Sequence, residues 1–257
     1  MVQTNRIVFI TGATSGIGKA CAEKFASAGY NIIINGRRAD RLTELKISLE
    51  KDFKVKVFET VFDVQNREEV FAAINNFPEE WKAIDILINN AGLALGRDYF
   101  DEADLNDWET MMQTNVNGLL YVSKAVVPFM TKRNSGHIIN LGSVAAKEMY
   151  EKGNVYCASK AAVDAISKTM RIDLLQHRIK VTVIHPGAVE TEFALVRFKG
   201  DTNKAADTYK GFIPLTAIDI AESIYYTASL PPHVCINDLV ITALSQANAI
   251  YFKKDLQ

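Results

Sequence analysis

Cysteine is scarce in this chain. Cys21, Cys157 and Cys235 are odd in number and show no CxxC spacing among 257 residues, which argues against both a disulfide framework and a zinc site. They read as small buried apolar residues. The four histidines, His137, His177, His185 and His233, form no HxxxH or HExxH pattern, so no metal is expected. His185, just before Pro186, reads as a packing residue at a strand end. Charge of one sign is also lacking: 29 basic against 30 acidic side chains leave a net charge of −1 and no field for nucleic acid. No apolar run approaches the roughly 18 residues that a bilayer-spanning helix needs. Met1 stands a few residues ahead of a strand-like segment, which leaves no room for a secretory leader, so a cytoplasmic protein is expected. The GxSxG elbow of acyl hydrolases is missing, since Ser143 sits in LGSVA.

What is present is enough apolar residue, 48%, to bury a sizeable core as one domain over 1–257. Apolar runs recur at 6–10, 31–35, 55–62, 85–90, 137–143, 181–187 and 238–243. Between them lie amphipathic stretches of helical length at 18–28, 39–51, 67–75, 104–132, 155–177 and 217–229. Such alternation predicts an α/β fold, a parallel sheet of about seven strands with helices on both faces. Ligands on such a sheet bind beyond the carboxyl ends of its strands.

Tyr156 and Lys160 in VYCASKAAV are one helical turn apart, and Ser143 lies thirteen residues upstream in INLGS. Residues at i and i+4 share a helix face. A phenol titrates near pH 10, and bringing it to about 7 takes roughly 4 kcal/mol at about 1.36 per pH unit. One ammonium about 4 Å away, at an effective dielectric of about 20, supplies a similar amount. Burial of the phenol would oppose this, so a second positive charge would help.

RIVFITGATSGIGKACAEKFASAG reads as strand, glycine-rich turn and helix. Gly12, Gly16 and Gly18 fall where a backbone must turn sharply and approach a pyrophosphate at a helix N-terminus. By itself such a triplet also fits a plain strand-to-helix turn. Taken with NNAG at Asn89 to Gly92, Asn115 in TNVNG, Ser143 and Tyr156-x-x-x-Lys160, it resembles the short-chain dehydrogenase/reductase family over essentially the whole chain. The resemblance implies a Rossmann-type doubly wound sheet and hydride transfer to or from a nicotinamide, whose oxidised ring is the second positive charge.

That family resemblance also implies roles. Tyr156 would be general acid and base, and Ser143 would hold the reacting oxygen. Lys160 would lower the tyrosine's pKa and bind the nicotinamide ribose, while Asn115 would hold a water of a proton relay. Asn115 taken alone also fits a buried structural amide, and Ser143 a turn residue. Cofactor contacts are expected at Gly12, Thr14, Ser15, Gly16, Ile17 and Gly18, at Asp63 and Val64 for the adenine, and at Asn90, Ala91 and Gly92. Pro186, Gly187, Val189 and Thr191 would meet the nicotinamide. Asp63 also fits a helix N-cap before Arg67. After the second strand, where an NAD enzyme tends to place an acid, the chain reads Asn35-Gly36-Arg37-Arg38. Two guanidiniums able to fork onto a 2′-phosphate favour NADP(H), with Arg37 the preferred contact. Ser15 departs from relatives that carry a basic residue in the turn.

The stretch 191–214 is polar and glycine-punctuated, and reads as a lid. VRFKGD followed by KAADTYKG resembles the branch of the family formed by NADP-dependent 3-hydroxy acid dehydrogenases, which act on serine, allo-threonine and small 3-hydroxy acids. Arg197 in this lid would pair the substrate carboxylate, though a surface arginine is a nearly equal reading. Lys147, Glu148 and Tyr150 would line the other side. The alternatives are reduction of a 3-oxoacyl thioester or neutral ketone, or a nicotinamide-binding regulator without catalysis. The resemblance also implies a homotetramer, and Met111, Met112, Leu119, Leu120, Val126 and Val127 give the long helix a wide apolar face.

Overall fold

In the computed structural model, which describes residues 5–254, the chain runs β1 (Ile7–Ile10), α1 (Gly16–Ser27), β2 (Asn31–Gly36), α2 (Ala39–Phe53), β3 (Val57–Val61), α3 (Arg67–Asn75) and β4 (Ile84–Asn89). It continues through α4 (Leu105–Met112), α5 (Leu119–Arg133), β5 (Gly136–Leu141), α6 (Asn154–Leu174) and β6 (Ile179–Pro186). Then come β7 (Val189–Glu190), α7 (Glu192–Arg197), α8 (Thr202–Asp207), β8 (Leu215–Thr216), α9 (Ala217–Ser229) and β9 (Asp238–Ile241).

Seven strands form one parallel sheet in the order β3-β2-β1-β4-β5-β6-β9, so the α/β reading holds. The strands read as continuous apolar runs because helices cover both sheet faces. In β1, Val8 and Ile10 pack with α1, α2 and α9 through Phe25, Leu42, Leu45 and Ile224, while Ile7 and Phe9 join α3 and α5 through Val70, Ile74, Val122 and Val126. Successive side chains of a strand point to opposite faces, so one strand serves both layers. Chain order reverses between β1 and β4, which opens a crevice at their carboxyl ends.

The expected helix over 104–132 is continuous in path but winds as a π-helix from Gln113 to Gly118 between α4 and α5. The lid is more regular than its sequence suggests. It holds the short helices α7 and α8, and its base is closed by a two-residue parallel ladder pairing Val189 with Leu215 and Glu190 with Thr216. Cys21 and Cys157 are buried as expected, whereas Cys235 is only half-buried.

Candidate active site

The crevice is lined along its length by Gly12 to Ile17 of the turn, Arg37 and Arg38, Asp63 and Val64, Asn90 to Gly92, then Ser143, Tyr156, Lys160 and the Pro186–Thr191 segment. Ala13 is buried beneath the turn. Gly18 stands behind that lining, and its role is packing. A Cβ there would lie 2.3 Å from the Gly12 carbonyl oxygen and 2.5 Å from Asn90 Nδ2. Gly12 and Gly16 have φ of +66° and +52°, a region that favours glycine. Asn90 locks the turn by donating from Nδ2 to the carbonyls of Thr11 and Gly12 at 2.9 and 3.1 Å. No side chain caps the start of α1. Its first N–H groups therefore face the crevice as a site for anionic oxygens, and this cradle fits the pyrophosphate of a dinucleotide.

Arg37 and Arg38 differ in what holds them. Arg38 donates to Thr14 Oγ1 at 2.7 Å and Ser15 Oγ at 3.0 Å, and pairs with Glu192 of α7 at 3.0 Å. Arg41 joins the same carboxylate at 2.8 Å. Among the described residues Arg37 pairs with Asp63 alone, at 3.5 Å, with its side chain 63% exposed. Asp63 accepts from Gln65 N, and the N-cap of α3 is Asn66, so the capping alternative for Asp63 fails.

At the other end of the crevice, the Ser143 and Tyr156 side chains line the same wall, and the serine favours the phenolate. The phenol is buried, and burial raises its pKa above the ordinary value of 10 despite the opposing effects of Ser143 and Arg197. Lys160, also buried, is pushed down to about 8 by burial and donates to the Leu141 carbonyl at 2.8 Å. Burial dominates at both groups, and the Arg197 guanidinium is among the groups that favour the phenolate.

Asn115 sits in the π turn. Its Nδ2 donates to the Leu93 carbonyl at 2.8 Å and to Ser159 Oγ at 3.0 Å, and its Oδ1 accepts from Leu93 N at 2.8 Å. A Cβ on Gly92 would lie 3.1 Å from Asn115 Oδ1 and 3.5 Å from Lys160 Nζ, so these three residues converge behind the crevice wall. π turns recur at functional sites.

Arg197, the last residue of α7, lines a neighbouring pocket with Gly96 and Tyr99 and approaches the Tyr156 ring from there. Its guanidinium lies 5.4 Å from the Tyr156 ring centre and 5.6 Å from that of Tyr150, donates to the Tyr150 hydroxyl at 3.0 Å and to the Gly96 carbonyl at 3.2 Å. Among the described residues no carboxylate pairs with it. Lys147, Glu148 and Tyr150 are not among the residues that line the crevice, which corrects that expectation. Lys147 is drawn instead to Asp164 and Asp238 at 3.2 and 2.5 Å. Residues not singled out from sequence include Glu192, Arg41 and Phe193, whose ring centre lies 5.8 Å from that of Tyr156. Only their membership of the lid and of α2 could have flagged them.

A dinucleotide cradle on a doubly wound sheet, with a buried Ser–Tyr–Lys set at its far end, defines a class: nicotinamide-dependent oxidoreductases of the Rossmann type. Residues 6–201 match the family described as short chain dehydrogenase, and the chain belongs to that family. It is 45% identical to the NADP-dependent 3-hydroxy acid dehydrogenase YdfG of Escherichia coli over 244 residues, covering 95% of this chain and 97% of that protein. It is also 45% identical to sulfoacetaldehyde reductase 2 of Chromohalobacter salexigens over 242 residues, covering 94% and 95% respectively. The closed form of serine dehydrogenase complexed with NADP+ superposes with a TM-score of 0.90 at 44% identity, covering 94% of this chain and 96% of that one.

Proposed function

We propose that this protein is an NADP-dependent oxidoreductase that interconverts the C3 hydroxyl and carbonyl of a small anionic acid, of the 3-hydroxy acid or β-hydroxy amino acid type. The observation that carries the substrate class is Arg197, a half-buried guanidinium beside the Tyr156 ring with no carboxylate partner. A partly desolvated cation without a counter-ion favours a ligand that brings one, and its fork suits a carboxylate. The names of the 45%-identical relatives support the reading, since 3-hydroxy acids and sulfoacetaldehyde are both small anions.

When bound, the nicotinamide supplies or takes up the hydride. The chain's residues do the rest. The glycine-rich turn, Asp63, Val64, Asn90 to Gly92 and Pro186 to Thr191 would hold the cofactor, with Arg37 reaching its 2′-phosphate. In the reducing direction Tyr156 donates its phenolic proton to the carbonyl oxygen, and in the oxidising direction it takes that proton back. Ser143, in the same crevice wall as the phenol, would donate to the same oxygen and fix it there. Lys160 lines the same crevice, and Asn115, its amide committed to Leu93 and Ser159, would support the wall beside it.

A homotetramer and a cytoplasmic location belong to the same proposal. Met111, Leu119 and Val126 are consumed by the core, but Leu105, Met112 and Leu120 are exposed along α4 and α5 and offer an apolar strip to a second copy.

The test is the initial rate of nicotinamide reduction with L-serine, L-allo-threonine and 3-hydroxypropionate, each with NADP and NAD, beside Tyr156→Phe and Arg197→Ala. Turnover with NADP, near-abolished by Tyr156→Phe, is expected. Arg197→Ala should lower kcat/KM for the acids by about 10- to 100-fold, as loss of a charge-assisted pair worth about 1.5–3 kcal/mol implies, and leave any neutral ketone within a few fold. Reduction of a neutral ketone alone, with every acid inert, would refute the substrate class and favour the ketone or thioester alternative.

A further inference from the structure

His185, at the end of β6, is fully buried directly behind the catalytic serine. Its Nδ1 lies 2.9 Å from the Ser143 carbonyl oxygen and 3.3 Å from the Ser143 nitrogen. One ring nitrogen cannot serve an acceptor and a donor at once, and the shorter contact assigns the hydrogen to Nδ1, donating to the carbonyl. The ring lies flat against the chain here: a Cβ on Gly142 would come within 2.5 Å of Nδ1. Its Nε2 has no hydrogen-bond partner and is aimed between Asp164 Oδ1 at 3.4 Å and Asp238 Oδ2 at 3.6 Å. These groups could enclose a cation, but the Lys147 ammonium already bridges the two carboxylates, and Lys168 holds Asp164 at 2.7 Å.

The cluster ties together four parts of the chain: β6 through His185, the turn after β5 through Ser143 and Lys147, α6 through Asp164, and β9 through Asp238. Asp164 is one helical turn beyond Lys160 and two beyond Tyr156 on α6. The same helix that carries the proton donor is thus linked, through the imidazole, to the backbone of the serine that must meet it.

We propose that His185 is a positioning residue for this reaction: its Nδ1–H holds the Ser143 carbonyl, and the Lys147–Asp164–Asp238 bridge packs behind the ring and closes the space it could move into, so that the Ser143 hydroxyl is set against Tyr156. This rests on the functional reading above. Displacement of a reacting group by about 1 Å costs on the order of 100-fold in rate, so the effect should appear in kcat rather than in cofactor binding.

The experiment compares His185→Leu, His185→Asn and His185→Gln in the full chain, with kcat and KM measured on a substrate the wild type turns over and NADPH affinity measured by fluorescence. Asparagine places an amide donor where Nδ1 stands, glutamine places it near Nε2, and leucine supplies none. Expected is a fall in kcat of about 10- to 100-fold for His185→Leu and His185→Gln, with NADPH affinity within about threefold, and recovery of most of kcat in His185→Asn. Lys147→Met, which removes the bridging cation from outside, should lower kcat without weakening NADPH binding. The inference is overturned if His185→Leu keeps kcat within about twofold, or if His185→Asn falls as far as His185→Leu. Should His185→Leu fail to fold, the order of His185→Asn above His185→Gln decides, and equal values overturn it. No turnover by the wild type on any carbonyl or hydroxy acid would overturn the functional reading and this inference with it, whereas wild-type turnover with an unimpaired His185→Leu overturns this inference alone.

Discussion

Lys160→Met should make the protein more stable and nearly inactive. Burial depresses the Lys160 ammonium from 10.5 to about 8. At about 1.36 kcal/mol per pH unit, that drop amounts to about 3 kcal/mol of destabilisation at neutral pH, order of magnitude only. Methionine has a similar length and no charge to desolvate. Against this gain stands the Lys160–Leu141 hydrogen bond of 2.8 Å, whose loss leaves a buried carbonyl unpaired at a cost of about 1–3 kcal/mol. The balance favours the variant by about 1 kcal/mol, or about 2–4 °C in Tm for a chain of this size. Because the folded-state pKa is lowered, the native protein binds fewer protons than the unfolded chain between pH 8 and 10.5. Wild-type stability therefore gains a rising contribution through that window; the variant's advantage is full below about pH 8, is cancelled near about pH 9, and gives way by about pH 10.5 to a deficit of about 1–3 kcal/mol from the lost hydrogen bond. Thermal melts at pH 6, 7, 9 and 10, without cofactor, read this directly. A Tm several degrees below wild type at pH 7, or a gap that does not change between pH 7 and 10, would refute the reasoning. Turnover should be nearly lost at every pH.

Gly18→Ala gains about 1 kcal/mol of helix propensity but drives a Cβ to 2.3 Å from the Gly12 carbonyl, a backbone atom that moves only if the turn opens. Overpacking of about 1–3 kcal/mol predicts NADPH affinity lowered by about 10- to 100-fold in a titration, and unchanged affinity would contradict the account of the turn. Arg37→Ala should raise KM for NADP by about 10- to 100-fold and leave KM for NAD unchanged, because Arg37 is free to swing while the donors of Arg38 are committed to Thr14, Ser15 and Glu192. A larger loss in Arg38→Ala would reverse that assignment.

The sheet was legible in the sequence because strands covered on both faces leave unbroken apolar runs such as Ile32, Ile33 and Ile34, and because the helices between them keep one apolar stripe. The π winding at Gln113–Gly118 was not. Nothing local demands it, and the pattern through that stretch stays helical; it accompanies an Asn115 amide bonded to Leu93 and Ser159, 22 and 44 residues away. The lid's helices were missed for a different reason. Six residues make fewer than two turns, too few for a period to show, and Lys199 and Gly200 at positive φ interrupt the stretch between them.

The convergence of Ser143, Tyr156 and Lys160 on one crevice was legible because its pattern is local: an i, i+4 pair on one helix and a serine at a strand end need no knowledge of distant contacts. Its tuning was not. Lys147 was expected beside the substrate because it follows Ser143 in the chain, yet Asp164 and Asp238, 17 and 91 residues on, hold it behind the serine instead. Arg197, expected as a carboxylate anchor or a surface arginine, stands 5.4 Å from the Tyr156 ring centre, across 41 residues of chain. A titration shift is a sum over everything that surrounds a group, and burial of both Tyr156 and Lys160 dominates that sum. Burial opposes the phenolate and Arg197 favours it, so an anionic substrate paired to Arg197 should strengthen the phenol's hold on its proton, which suits Tyr156 as the donor in the reducing direction.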